Sequence, residues 1–415
     1  MIGLGYAGLP LLLAASQEGL GAIGHDISET RVAGLQSGVS PIEDVSDADL
    51  KEALASGATF HTDPGAFSAA DVIAICVPSP LHRDGQPDLS FIVAAAATIS
   101  DVARPGQLIS LESTTYPGTT EEYIVPAVER AGLELDRDVW VAFSPERISP
   151  VGPVGFRDIP KIVGGVTQQS GEVAAAAYGR LVRSVHVVSS SRAAEMAKVL
   201  ENTYRAVNIG LINEMAQLAD ALQIDIWEVI EAAATKPFGF EAFWPGPGVG
   251  GHCIPLDPQY LAWRARSADI ATRFIDLADQ VNSEMPSYNA HRIGELLNKS
   301  GRPLAGTKIL AIGIAYKPNI SDDRQSASLE VAEQLALADA DVSVLDPVVG
   351  NERIAEHGYK AANAEDDFSG FAIAVVLTDH ANLDYAAIAD AVPIVYDARG
   401  VYRRLGIERT NVVVL

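Results

Sequence analysis

The sequence predicts an α/β protein in which two doubly wound domains flank a central helical one. Three observations predict it. Short apolar runs alternate with helical stretches over roughly the first 190 residues, an unbroken three- and four-residue apolar periodicity follows, and the alternation resumes after about residue 300. Alternating strand and helix patterns build βαβ units and a parallel sheet, whereas sustained helical periodicity packs as helices. The expected domains are 1–190, 191–300 and 301–415, since 415 residues exceed what one core holds.

Each element follows in order. GLGYAGLP leads into a helix running through Glu18, with Gly19 as its stop, and the strand GAIGHD ends at Asp26. DVIAICVP (Asp71–Pro78) reads as a strand, Ile92–Ala103 as an Ala-rich helix, and QLISLEST (Gln107–Thr114) and VWVAFSPE (Val139–Glu146) as further strands. KIVGG and a helix then lead to VHVVS around Val187. From Arg192 the chain reads as a long amphipathic helix interrupted only by Gly210, and helices continue to about Lys299. Such a helix suits a spine, a dimer interface or both. Past SGRPLAG, strands are expected at Lys308–Tyr316, Asp341–Pro347, Phe371–His380 and Pro393–Gly400, with a helix near Ser328–Ala338.

Composition narrows the function. Charged residues make up 20% and hydrophobic ones 48%, the balance of a folded globular chain. The net charge of −24 would repel a phosphate lattice, so neither nucleic acid nor an anionic membrane is an expected partner. No apolar run approaches the roughly 20 residues that cross a bilayer. No basic segment followed by an apolar one opens the chain, and a cytoplasmic location is expected. Nothing in the sequence requires a metal.

Gly3, Gly5 and Gly8 form GxGxxG ahead of a helix, and Asp26 closes the next strand. The first glycine permits a tight turn, the second lets backbone approach a pyrophosphate, and the third lets helix and strand pack closely. An acid at this spacing binds the adenosine ribose hydroxyls and repels a 2′-phosphate, so a Rossmann-like site for NAD is expected over one for NADP. Only Met1 and Ile2 precede Gly3, although a strand usually has about five or six residues. We therefore expect a truncated first strand and a true start upstream.

The most distinctive stretch is WPGPGVGGHCIPLDP, Trp244–Pro258. Glycines around Cys253 let a substrate approach its sulfur, and a thiolate there can add to an aldehyde. Hydride loss from the resulting thiohemiacetal gives a thioester, which water cleaves to an acid. Cys76, inside an apolar run, reads as a small buried hydrophobe.

These blocks, with ICVPSP, ESTTYPGTTEE, FSPERISP, EMAKVLENTYRAVNIGLINE, GIAYKPNISDDRQS, VLDP and DARG, occur in one order. In them the chain resembles the UDP-glucose/GDP-mannose dehydrogenase family along essentially its whole length. The resemblance implies a nucleotide-sugar 6-dehydrogenase that uses NAD, with Cys253 as nucleophile. It implies that Lys198 and Asn202 stabilise oxyanion character, that Asp257 assists proton transfer, and that Glu146 and Thr114 serve thioester hydrolysis. For the cofactor it implies Gly3, Gly5, Tyr6, Ala7, Gly8, Asp26, Arg31, Val77, Pro78, Ser113, Thr114 and Arg324. For the UDP-sugar it implies Glu146, Arg147, Lys198, Asn202, the loop Trp244–Gly250 with Gly246, Gly248 and Gly250, and Tyr316, Lys317 and Arg399. It also implies a homodimer or higher homo-oligomer.

Two places depart from the family. Pro150 stands where relatives specific for UDP-glucose carry an acid, and ATKPFGFEAF lacks an Arg that many relatives contribute across the dimer, for which Arg273 or Lys236 could substitute. GPGVGGHCIPLDPQYLAW followed by TRFIDLADQVNSEMP is most similar to the branch that oxidises UDP-N-acetylglucosamine for surface polysaccharide, with UDP-N-acetylmannosamine and UDP-glucose as alternatives. A hydroxyacid-type two-electron dehydrogenase would leave the Cys253 loop unexplained. A non-catalytic sensor of NAD or nucleotide sugars would leave Lys198, Asn202, Cys253 and Asp257 without work.

Overall fold

The computed structural model describes residues 1–42, 45–82, 85–147 and 155–415; Pro150 lies outside them. The chain divides into two compact units. Met1–Glu201 with Gln259–Ala271 forms the first, and Asn202–Pro258 with Thr272–Leu415 the second.

In the first unit seven strands are described: β1 (Ile23–His25), β2 (Thr59–His61), β3 (Val72–Ile75), β4 (Gln107–Leu111), β5 (Val139–Phe143), β6 (Lys161–Gly165) and β7 (Val185–Val188). The last five form one sheet in sequence order, and β1 pairs with β2 in parallel. Ile2 bridges in parallel to both His25 and Ile75, so the start of the chain lies between β1 and β3. The order therefore reverses beside the glycine loop, which is where open sheets of this kind bind ligands. Alternate residues of a strand serve opposite faces: Ile73 and Ile75 enter one core and Ala74 the other.

The five-stranded sheet departs from an all-parallel one at β6. β6 runs antiparallel to β5, with Ala142 opposite Gly165 and Phe143 opposite Gly164. Among the described residues, the connection holds only a short 3-10 turn at Phe156–Asp158. A parallel return needs a crossover of a dozen or more residues, usually a helix, and the helix Gln168–Tyr178 provides one between β6 and β7, which are parallel. A second departure lies between Asp26 and Asp71, where the periodicity predicts nothing. That stretch holds the helices Glu29–Gln36 and Asp47–Ala55, each opened by a serine (Ser28, Ser46) whose side chain accepts a backbone N–H.

The second unit carries β8 (Lys308–Ile312), β9 (Asp341–Leu345), β10 (Lys360–Ala361), β11 (Ile373–Val376), β12 (Val395–Asp397) and β13 (Val412–Val414). Their order is β10-β9-β8-β11-β12-β13 and every pairing is parallel, the doubly wound arrangement expected from the sequence. Ile309 and Ala311 pack into the core that holds Ile293 and Leu297 of the helix Arg273–Lys299, while Leu310 and Ile312 enter the opposite core. A helix of 31 residues, Ser191–Ala221, carries both Lys198 and Asn202. No helix among the described residues is long and apolar enough to cross a membrane.

Candidate active site

In the first unit the glycine loop is fixed by contact. Gly3 has φ +90°, and a methyl group on it would lie 2.4 Å from the Cys76 carbonyl; one on Gly8 would lie 2.0 Å from the Gly3 carbonyl. Gly5 differs, because a methyl there would meet nothing within 4 Å. Packing therefore does not demand glycine at position 5, whereas a ligand seated against the backbone does. Tyr6 and Ala7 follow, and the helix Gly8–Gln17 begins with no side-chain cap on its amides.

Asp26 is buried beside this loop. Its carboxylate accepts the Leu4 N–H (3.1 Å), the Ser28 N–H (3.0 Å) and a bond from Arg31 Nη1 (2.9 Å). Burial works against its ionisation, but the bonds from Ser28, Arg31 and Leu4 prevail and hold its carboxyl below the usual range. Ser113 Oγ donates to the Val77 carbonyl (2.8 Å), so two predicted cofactor residues meet where β3 and β4 end. Pro78 is exposed next to Val77, and Thr114 is half-buried after Ser113. Glycine loop, anionic Asp26 and bare space above Gly5 together fit a dinucleotide.

Glu146 and Arg147 follow β5. Arg147 N–H donates to Glu146 Oε1 (2.6 Å), and the Arg147 guanidinium grips both oxygens of Glu201 and the Pro160 carbonyl. Arg147 is thus tied to the long helix. Lys198 is buried at 8% exposure, with no hydrogen bond or ion pair among the described residues. A buried ammonium left so is costly unless an anion or polarised oxygen answers it.

Glu195, on the same helix, is a buried carboxyl that the sequence motifs do not single out. It accepts the Gly118 N–H, the Thr120 N–H (2.9 Å) and the Thr120 hydroxyl (2.7 Å), clamping the TYPGTT loop that follows Thr114. Burial pushes its carboxyl up to about 7 despite those bonds. Its place one turn before Lys198 was the available signal.

In the second unit the loop that holds Gly246, Gly248 and Gly250 lies close to Tyr316 and Arg399. A methyl on Gly246 would lie 2.7 Å from Arg399 Nη1. On Gly250 it would strike the Gln325 carbonyl (2.8 Å) and Tyr316 Cβ (2.9 Å), and on Gly251 (φ +84°) the Tyr316 ring (2.7 Å). Gly248 packs as closely on Ala327. The glycines thus let the cysteine loop lie against Tyr316 with Arg399 at its edge. Arg399 is oriented by Asp379 (3.2 Å), and Trp244 stacks on Trp227 with ring centroids 5.3 Å apart. Arg324, expected on the cofactor, forms a bidentate pair with Asp322 (2.8 and 2.6 Å).

Cys253 is exposed at the end of this loop, and its carbonyl accepts the Asp257 N–H (3.0 Å). Partial burial and the Arg324 guanidinium keep the neighbouring His252 below the ordinary histidine range. Asn202 donates from its amide nitrogen to Asp257, and Arg205 donates to the Asn202 carbonyl oxygen. Asn213 passed unnoticed in the sequence: its oxygen accepts the Gly246 N–H (3.1 Å) and its nitrogen donates to Asn282 (2.9 Å). It stands eleven residues, about three helical turns, beyond Asn202 and so shares its face.

Comparison with known proteins places this geometry. Residues 1–182 match the NAD binding domain of the UDP-glucose/GDP-mannose dehydrogenase family, 192–284 its central domain, and 310–404 its UDP binding domain. A UDP-N-acetyl-D-glucosamine 6-dehydrogenase of Pseudomonas aeruginosa is 33% identical over 96% of both chains. A UDP-N-acetyl-D-mannosamine dehydrogenase of Pyrococcus horikoshii is 35% identical over 92% of this chain and 88% of its own. The solved structure of a UDP-D-ManNAc dehydrogenase from Pyrococcus horikoshii superposes with a TM-score of 0.87 at 30% identity, covering 100% of this chain and 97% of that one.

Proposed function

The chain belongs to the UDP-glucose/GDP-mannose dehydrogenase family, and on that premise we propose that it oxidises the C6 alcohol of UDP-N-acetylglucosamine to the uronic acid in two steps through Cys253. It is an NAD-dependent oxidoreductase acting on a UDP-sugar. NAD+ supplies the hydride acceptor for both oxidations, held by the glycine loop and Asp26.

The observation that carries the reading is the seating of Cys253 at the end of a loop whose glycines are dictated by Tyr316, Gln325 and Arg399, beside the Asn202–Asp257 pair. Lys198 and Asn202 stabilise the alkoxide of the substrate and the oxyanion of the thiohemiacetal. Asp257, fixed by Asn202, accepts and returns protons. In hydrolysis a water oriented by Thr114 gives a proton to Glu146 as its oxygen bonds to the thioester carbon. The C–S bond then breaks, and Cys253 leaves as thiolate. Tyr316, Lys317 and Arg399 bind the UDP moiety, with Trp244 beside them.

The product is a uronic acid for surface polysaccharide. The acetamido sugar is supported by GPGVGGHCIPLDPQYLAW and by the relatives' names; UDP-N-acetylmannosamine is the second reading, favoured by the Pyrococcus horikoshii relatives. A substrate panel decides: kcat/KM highest for UDP-N-acetylglucosamine supports the assignment, and a higher value for UDP-N-acetylmannosamine or UDP-glucose overturns it.

A homodimer is proposed from the long helix, which exposes Tyr204, Leu211 and Leu218 at spacings of seven, with exposed Leu222 just past its end. Aligned apolar side chains of that kind call for a partner surface.

A further inference from the structure

Beneath the end of the first unit's sheet lies a group of charged residues to which the reading above gives no role. Lys161 and Glu112 are 4% and 2% exposed, and the ammonium of Lys161 contacts Glu112 Oε2 directly. Lys161 also donates to the Pro145 carbonyl (3.2 Å), and Tyr178 donates its hydroxyl to Glu112 Oε1. The second carboxylate near the same ammonium is Glu146, whose Oε2 lies 4.0 Å from Lys161 Nζ.

The antiparallel return of β6 explains the approach. Phe143 pairs with Gly164, so the same register carried three residues past the end of β5, and back to the first residue of β6, sets Lys161 opposite Glu146. Glu112 reaches the same point from the end of β4, Tyr178 from the end of the helix Gln168–Tyr178, and Cys76 from the end of β3. Burial keeps the Cys76 thiol protonated, and Tyr178 likewise stays neutral. Lys161 is held above its ordinary range against burial by Glu112 and then Glu146, so it remains a cation. Burial pushes the Glu112 carboxyl up and the Lys161 ammonium against it holds it down, so Lys161 faces one carboxyl in contact and a second, that of Glu146, at 4.0 Å.

We propose that Lys161 is a positioning residue, shared between Glu112 and Glu146, that sets how strongly Glu146 draws a proton from the water that cleaves the thioester. The proposal rests on the reading of Glu146 as that base. Glu112 is the competitor: by holding the ammonium in direct contact it leaves Glu146 the weaker share of that cation. Removing either partner must then move Glu146 in opposite directions. Without Lys161 its proton affinity rises; without the Glu112 charge, Lys161 belongs to Glu146 alone and its proton affinity falls.

The test uses the whole enzyme, NAD+ and sugar-labelled UDP-N-acetylglucosamine, or whichever UDP-sugar the panel selects, quenched in acid to follow thioester decay against pH. Lys161→Met should shift the acidic limb of that profile upward by about one pH unit and Glu112→Gln should shift it downward, with KM little changed. Lys161→Arg, which keeps the charge, should leave the limb where it is, and it decides with Glu112→Gln if Lys161→Met does not fold. Both shifts in one direction, or slower decay with an unmoved limb, would overturn the proposal and make the cluster merely structural. Glu146→Gln separates the two ideas. A limb that survives it sinks the base assignment and this inference together, whereas a limb lost in Glu146→Gln but unmoved in the other variants sinks the inference alone.

Discussion

The side-chain amide of Asn202 donates to the carboxylate of Asp257, tying the long helix to the residue four beyond Cys253. Asp257 is 4% exposed, so this donor satisfies a buried carboxyl as well as aiming it. Asn202→Ala should lower kcat by about 10²–10³-fold and stability by about 1–3 kcal/mol. Steady-state kinetics and urea unfolding check both, and an unchanged kcat would remove Asn202 from the chemistry.

The glycine loop separates fold from ligand. Gly3→Ala drives a methyl into the Cys76 carbonyl at a backbone φ of +90°, and should cost ~2–4 kcal/mol or abolish folding. Gly5→Ala meets no protein atom and should melt like the parent, yet raise KM for NAD+ about tenfold or more. Thermal melts set beside cofactor titrations give the answer; loss of stability in Gly5→Ala would contradict it.

That contrast shows what was legible in the sequence. The Rossmann turn and the GPGVGGHC loop could be read because glycine at close approach is forced by backbone sterics, which leave a local trace. Strand and helix alternation likewise yielded both doubly wound sheets. The partnership of Lys161 with Glu112 and Glu146 could not be read, since it depends on β6 returning antiparallel without a crossover helix. Asn213 and Asn282 are 69 residues apart, and no periodicity links them. The short helices between Asp26 and Asp71, of eight and nine residues, carry too few apolar positions to show a face.

Asp346 gives a pH prediction. It accepts the Ile314 and Ala315 N–H groups (2.8 and 3.2 Å) leading into Tyr316, those of Val348 and Val349 (both 3.0 Å), and a bond from His380 (3.1 Å). Burial opposes its ionisation, but His380 and the backbone donors prevail and its folded carboxyl lies below the usual range. Its contribution is thus present above the unfolded value of about 3.8 and lost as pH falls below it, through the folded value. Denaturant midpoints from pH 7 to pH 3 should fall at the acid end, and less so in Asp346→Asn, which should already be about 2–4 kcal/mol weaker at pH 7. A variant as stable as the parent at pH 7 would refute this.

The exposed stripe on the long helix predicts assembly. Leu211→Glu or Leu218→Glu places a charge among Tyr204, Leu211, Leu218 and Leu222 and should convert a dimer to monomer, read as a halved mass by light scattering. A parent that is monomeric at micromolar concentration would rule out the proposed interface.

The central claim is that Cys253 carries a substrate through two oxidations. The direct measurement is the ratio of NADH formed to uronic acid released, in the parent and in Cys253→Ala. The account predicts two NADH per acid in the parent and no acid from Cys253→Ala. One NADH per substrate consumed with aldehyde accumulating, or continued acid release by Cys253→Ala, would contradict it.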